Sequence, residues 1–242
     1  MISTLEKEVT LRFLKARKKD GFLNVISIFS FIGISLGVAV LIIVMSVMNG
    51  FRSELINKIV GFNSHVTIKS FEQSIDIKKT DNINLKLISK NLILSNSSEA
   101  IIISGESSKG ILLRGYLMDD FSNLEIFNNK NFVGQNTSLR DNFISIGREL
   151  SFNLNLSIGD SITIMSSSGV ETIVGNLPKQ KTFIVSSIFE SGLADFDNNI
   201  IFLNLNTLEE FSNLTEKDRN LEIYLKNPQK IEHQKDIVQN IF

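Results

Sequence analysis

Residues 21–51 read GFLNVISIFSFIGISLGVAVLIIVMSVMNGF, a run without Asp, Glu, Lys, Arg or His that Asp20 and Arg52 bracket. About 20 mainly apolar residues are enough for a helix to cross the hydrocarbon core of a bilayer, and this run is longer by about half. A secretory signal has an apolar region of only ~7–15 residues and a small-residue cleavage site; Val47-Met48-Asn49-Gly50-Phe51 offers no such site. Core helices of soluble domains are rarely uncharged over such a length. Residues 21–51 are therefore read as a transmembrane helix. Basic residues beside a span mark its cytoplasmic flank. Arg12, Lys15, Arg17, Lys18 and Lys19 precede the run, while Arg52, Lys58 and Lys69 follow it more sparsely. Residues 1–20 are expected in the cytoplasm and residues 52–242 on the far side.

On the inner flank, Ser3-Thr4-Leu5-Glu6 fits a capping box and predicts a helix from about Thr4 to Arg17. Leu5, Val9, Phe13 and Ala16 fall roughly on one face. Such a basic amphipathic segment either lies in the membrane interface or is a plain anchor flank. Inside the span, Gly33-x-x-x-Gly37 and Ser46-x-x-x-Gly50 put small residues one turn apart, a spacing that lets another helix approach closely. Met45, Val47, Met48 and Phe51 make the outer end flexible and apolar, suited to varied partners or to lipid.

The whole chain has 242 residues, a formal net charge of -1 and no cysteine. Near-neutral charge argues against a general nucleic-acid binder, which carries a basic face. The missing cysteines exclude disulfides, zinc–thiolate sites and cysteine nucleophiles. His65 and His233 are the two histidines, which makes a histidine metal cluster unexpected.

After Phe51 the helix is predicted to run to about Val60 and stop at Gly61. Short β-branched or aromatic runs then predict strands at 65–69, 111–116, 143–146, 161–165, 182–189, 199–203 and 221–225. Helical pieces are predicted at 83–94, 120–127, 148–155, 207–211 and 231–242. This mixture makes the outer domain α+β, with a β-rich subdomain at about 143–205 inserted in a mixed one. The last residues, Asn240-Ile241-Phe242, fall inside an amphipathic helix, so further sequence is expected to follow.

No segment carries catalytic chemistry. Gly105-Glu106-Ser107-Ser108-Lys109-Gly110 lacks the Gly-Lys-Ser/Thr ending of a phosphate-binding loop and reads as a turn before a strand. Glu190, Asp195 and Asp197 surround Gly192 without a histidine or EF-hand spacing and read as a solvated turn. Ser166-Ser167-Ser168 has no histidine nearby to activate it and reads as a loop. One connection is different. Residues 169–181, GVETIVGNLPKQK, join two strands with an apolar stem (Ile173, Val174, Leu177) and an end carrying Pro178 and Lys179-Gln180-Lys181. Such a hairpin extension suits contact with another protein, or is a floppy connection.

Three stretches point further: Arg12 to Phe22 with Val25-Ile26-Ser27, Gly33-Ile34-Ser35-Leu36-Gly37-Val38, and Val44-Met45-Ser46-Val47-Met48-Asn49-Gly50-Phe51-Arg52 running on to Gly61-Phe62-Asn63-Ser64-His65-Val66. Together they resemble the first membrane helix and its exit in the lipoprotein-releasing ABC transporter permeases, the LolC/LolE family. Ile146-Gly147-Arg148-Glu149-Leu150 with Ile158-Gly159-Asp160, and Ile188-Phe189-Glu190-Ser191-Gly192 with Asp195-Phe196-Asp197, resemble its extracytoplasmic motifs. The resemblance covers nearly the whole chain and is weakest at about 71–98.

It implies a MacB-like periplasmic domain in residues 52–242, truncated before the three later transmembrane helices of a four-helix permease. It also implies the bacterial inner membrane, a LolD-like ABC ATPase that binds ATP on a separate subunit, and a second permease that is LolE-like or a second copy. The cargo would be lipoproteins handed to a LolA-like periplasmic chaperone, with no cofactor or metal in this chain. Under that resemblance Gly33 and Gly37 pack within the permease bundle, and Met45, Met48 and Phe51 line an acyl-chain cavity. Gly175, Pro178, Lys179, Gln180 and Lys181 form the chaperone-docking loop, which makes the chain more LolC-like. Two alternatives stay open. One is a related MacB/FtsX-type ABC permease, which should lack the Val47–Phe51 pattern and the docking loop. The other is a single-pass membrane sensor or adhesion protein.

Overall fold

The computed structural model describes residues 4–14, 21–69, 74–104, 107–121, 123–128, 132–134, 142–172, 175–228 and 231–242. Lys15–Lys19, Gly105, Glu106, Ile173 and Val174, which figured in the sequence reading, lie outside them. The chain divides into two units, Met1–Ile56 and Asn57–Phe242.

The first unit is helical. Helix α1 spans Thr4–Leu14. Helix α2 starts at Gly21 and runs unbroken for 42 residues to Phe62, one residue past the expected stop. At ~1.5 Å per residue that is about 63 Å, roughly twice the thickness of bilayer hydrocarbon. Its stretch Val25–Glu54 is long and apolar enough to cross a membrane, and none of it is buried against protein.

In the second unit the elements follow in order: β1 (Val66–Ile68), a 3₁₀ turn (Ile77–Asp81), α3 (Ile83–Ile88), β2 (Ser89–Ser104), β3 (Ser107–Tyr116), α4 (Met118–Phe121), a 3₁₀ turn (Glu125–Asn128) and β4 (Val133–Gly134). Then come β5 (Phe143–Gly147), α5 (Arg148–Leu154), β6 (Ser161–Thr172), β7 (Gly175–Phe189), α6 (Ala194–Asn199), β8 (Ile200–Asn204), α7 (Leu205–Ser212), β9 (Asn220–Leu225) and α8 (Ile231–Ile241). The fold is thus α+β, an apolar N-terminal helix followed by a mixed domain.

Six of the strands close on themselves. β2 pairs with β3, β3 with β8 in parallel, β8 with β5, β5 with β7 in parallel, β7 with β6, and β6 returns to β2. Side chains alternate across a strand, so one face of all six points inward. Ala100 and Ile102, Ile111 and Leu113, Ile144 and Ile146, Ile162 and Ile164, Phe183 and Val185, and Ile201 and Leu203 fill that interior, and Leu208 and Phe211 of α7 join them. Gly115 lets α7 sit close, because a Cβ there would lie 2.8 Å from the Leu208 side chain.

The key strand is β2. Its residues 95–104 pair with β3 along one edge. Residues 100–103 of its other edge pair with β6, and residues 89–95 of that same edge pair with β9. β2 therefore leaves the ring at its N-terminal half and builds a second layer with β9 and β1. Leu85 of α3, Leu221, Ile223 and Leu225 of β9 and Val238 of α8 form the core there. Between the two lies an aromatic cluster in which Phe202 meets Tyr116, Phe127, Phe189 and Phe196 at centroid distances of 5.9, 5.4, 4.9 and 6.4 Å.

A buried carboxylate sits beside this cluster. Glu222 of β9 is 4 % exposed. It accepts hydrogen bonds from Ser95 (2.6 Å), Arg114 (3.0 Å), Tyr116 (3.1 and 3.2 Å) and Tyr224 (3.0 Å). Burial, the largest cause, pushes the Tyr116 hydroxyl well above its ordinary pKa, and the nearby Glu222 charge adds to the rise. Both effects act in the same direction on Tyr224. Both phenols thus stay neutral and keep donating. The other arm of the Arg114 guanidinium donates to Asn63 Oδ1 at 2.8 Å.

Four expectations are corrected. Residues 83–94 are not one helix: α3 stops at Ile88, where Ser89 turns to extended backbone, and Ser89–Ser104 is strand. Pairing of 89–94 with β9 outweighs the helical spacing of Leu85, Ile88 and Leu92. Residues 120–127 split into α4 and a 3₁₀ turn. The β-rich segment 143–205 is no separate insertion, because β2 and β3 supply two of the ring's strands. The carboxylates near Gly192 are not a solvated turn either. Residues 194–199 are helical, Asp197 is 2 % exposed and accepts from the Ser191 N–H at 2.9 Å, and Glu190 pairs with Arg148 at 3.1 Å. Gly147 permits that packing, since a Cβ on it would stand 2.0 Å from the Asp197 carbonyl oxygen.

Removing one partner of a buried, hydrogen-bonded ion pair costs about 3–5 kcal/mol. Arg114→Met and Glu222→Gln are each expected to lower the domain's stability by about that amount in a circular-dichroism melt with urea. A loss below about 1 kcal/mol would mean that the pair is dispensable.

Candidate functional site

Of the proline-bearing segment, residues 169–172 and 175–181 are strand, not loop. β6 and β7 extend past the ring as an antiparallel arm, with Gly169 opposite Pro178, Val170 opposite Leu177, Glu171 opposite Asn176 and Thr172 opposite Gly175. Gly175 has φ of +122°, a left-handed value that favours glycine at this end of the arm. Between Met165 and Gly169 the register shifts. Residues 166–168 stand opposite Lys179 alone, so the three serines form a bulge that redirects the arm. In sequence these serines read as a loop. A run of small polar residues inside a β-branched strand was the available signal.

The arm carries exposed groups on both sides of the bulge, Leu177 and Pro178 beyond it and Gln180 before it. Leu177 is 58 % exposed, and Gly175, Pro178 and Gln180 are exposed too. The Lys179-Gln180-Lys181 run is not one polar patch, because strand alternation splits it. Lys179 and Lys181 share the face of the buried Phe183, and the Lys181 ammonium lies 5.6 Å from that ring. Gln180 lies on the other face, opposite Met165, with its amide 3.8 Å from the Met165 sulfur.

The base of the arm rests on the C-terminal end of α7. The Lys179 ammonium donates to the Glu210 carbonyl at 2.9 Å and to the Asn213 side chain. Ser168 Oγ donates to the Ser212 carbonyl at 2.6 Å, and Asn213 Nδ2 donates to the Gly169 carbonyl at 3.2 Å. Nothing in the sequence marks Ser168, which reads there only as part of a loop, or Asn213 and the α7 carbonyls as an anchor for the arm.

The membrane-helix candidates are all exposed: Met45 61 %, Met48 61 % and Phe51 60 %, while a Cβ on Gly33 or Gly37 would meet nothing within 4 Å. At ~100° per residue Gly33, Gly37, Met48 and Phe51 fall within about 60° of one another, with Met45 at the margin of the same stripe. Among the described residues no group of three or more His, Asp or Glu is placed to hold a metal ion.

The family model of the MacB-like periplasmic core domain matches residues 27–241. The chain is similar to "Lipoprotein-releasing system transmembrane protein LolC" of Xylella fastidiosa strain Temecula1, at 28% identity over 219 residues, covering 87% of this chain and 52% of the relative. It is likewise similar to the protein of that name from Neisseria meningitidis serogroup B, at 29% identity over 234 residues, 93% of this chain and 55% of the relative. The chain spans about half the length of these curated relatives. Among solved structures it is similar to the periplasmic region of MacB from Actinobacillus actinomycetemcomitans, with 10% identity, a TM-score of 0.44 and coverage of 78% of this chain and 89% of that one.

The chain has no cysteine of its own, so single cysteines report on exposure. A Leu177→Cys variant is expected to react with a maleimide about as fast as the denatured chain. An Ile164→Cys variant, inside the ring, should be protected by at least about 100-fold. Equal rates at the two positions would contradict the arm's geometry.

Proposed function

Because the chain belongs to the MacB-like periplasmic core domain family, we propose that it is the N-terminal part of the permease subunit of an ABC transporter. That transporter takes lipoproteins from the inner membrane and passes them to a soluble periplasmic chaperone. The observation that carries the reading is the exposed β6–β7 arm, with Leu177 and Pro178 beyond the ring, in a chain that also holds one helix fit to cross a membrane. Similarity to proteins named as lipoprotein-releasing, over most of this chain, supports it.

In this reading residues 1–20 lie in the cytoplasm, residues 21–51 cross the inner membrane and residues 52–242 stand in the periplasm. Each acyl CH₂ moved from lipid into water costs ~0.8 kcal/mol, so several long chains together need an apolar host and an energy source. Met45, Met48 and Phe51 supply part of that host, an acyl-chain cavity wall. Gly33 and Gly37 lie on the same stripe, about 17 Å deeper for Gly37 relative to Met48, and pack against a neighbouring helix. The arm, with Gly175, Pro178 and Gln180 on its accessible side, docks the chaperone. ATP is bound and hydrolysed by a separate LolD-like subunit, and the second permease is LolE-like or another copy of this one.

The test uses the complete transporter subunit in its membrane. A photo-crosslinker at Leu177 should trap a soluble periplasmic protein, and one at Met48 should trap a lipid-modified protein. Capture of phospholipid alone at both positions would sink the reading and favour a permease that moves no lipoprotein.

A further inference from the structure

We propose that Lys179 is a positioning residue, not a partner contact: together with Ser168 and Asn213 it clamps the arm to the C-terminal end of α7 and fixes the direction in which the arm points. The clamp deepens the docking reading, on which its functional meaning rests, while its geometry stands without any partner.

The last carbonyls of an α-helix have no partner within the helix. In α7 two of them are taken by the arm. The Glu210 carbonyl accepts from the Lys179 ammonium on β7, at 2.9 Å, and the Ser212 carbonyl accepts from the Ser168 hydroxyl on β6, at 2.6 Å. A positive charge at this end of a helix is further favoured by the helix dipole. Asn213, just past the helix with φ of +55°, completes the join: its side chain accepts from Lys179 and donates to the Gly169 carbonyl at 3.2 Å. Both strands of the arm are thus held, at one level. That level is the serine bulge, where the register between β6 and β7 shifts and where a hairpin would otherwise be free to swing.

The opposite side of α7 fixes the anchor itself. Leu208 and Phe211 are 0 % and 4 % exposed and belong to the ring's interior. The arm is therefore tied through α7 to the ring's buried core, while Leu177 and Pro178 stay exposed. A recognition element held in one orientation loses less freedom when it docks, which strengthens binding without any added contact. In sequence Lys179-Gln180-Lys181 looks like a basic surface. In the fold the Lys179 amine is already engaged, and the presented groups are Leu177 and Pro178.

The clamp can be tested with no partner present. Spin labels on Leu177→Cys and Asn206→Cys, in the full chain in detergent micelles, report the distance from the arm to α7. The parent should give one narrow distance distribution. Lys179→Met should widen it at least about twofold with the melting temperature nearly unchanged, Ser168→Ala should widen it less, and Lys179→Arg should restore the narrow form. An unchanged width in Lys179→Met would overturn the proposal. So would a widening seen only with collapse of the melt, since Lys179 would then hold the ring and not the arm. If the widths change as expected but Leu177 captures no soluble protein, the clamp stands and the docking reading falls.

Discussion

Sixteen residues of β2 serve three neighbouring strands with two edges. That constraint organises the outer domain. One edge pairs with β3 from Ser95 onward; the other is divided, its first half going to β9 and its second half to β6. A flat strand could not send its two halves into different layers, so the twist of β2 separates the closed ring from the β1–β9 layer. Closure gives the six strands a shared interior, and the buried side chains that fill it are mostly aliphatic or aromatic. The alternation Ala100, Ile102 and Ile111, Leu113 is that rule in two adjacent strands.

The seam between the two layers is where polar chemistry is buried. Arg114 on β3 and Glu222 on β9 meet across β2, whose Ser95 joins them. An ion pair out of water is stabilising only when its remaining hydrogen-bonding capacity is also used. Here two phenols and a serine complete the carboxylate, and Asn63 completes the guanidinium. His65 adds to the same region by accepting from the Leu225 N–H at 3.2 Å. Asn63 and His65, near the start of the second unit, are thus built into the seam.

Much of this was legible in the sequence, for physical reasons. An uncharged run of this length has few solutions, so the helix at Gly21–Phe62 could be read directly. Strands with clean β-branched alternation, such as Phe143–Gly147 and Ile200–Asn204, and the helix opening at Arg148, were equally plain. β2 was hidden because its Asn and Ser residues break the β-branched pattern that marks a strand, while its Leu/Ile spacing imitates a helix. Its first half is made strand by pairing with β9, more than a hundred residues away. The site was half legible. Pro178 and the surrounding composition marked the arm, but the bulge and the α7 anchor depend on contacts that no local window contains. A lysine donating to a helix end looks, in sequence, like any other surface lysine.

Pro178 has one more consequence. Beyond the bulge, each strand of the arm is paired on a single side, β6 with β7 and β7 with β6. Two open edges on a projecting hairpin are an invitation to another chain's strands, and so to self-aggregation. A proline contributes no N–H and is tolerated only where a ladder bond is not required. At Pro178 it interrupts the row of donors along one edge while leaving the flat apolar surface of Leu177 in place. The arm can therefore present its side chains yet is a poor template for fibril growth.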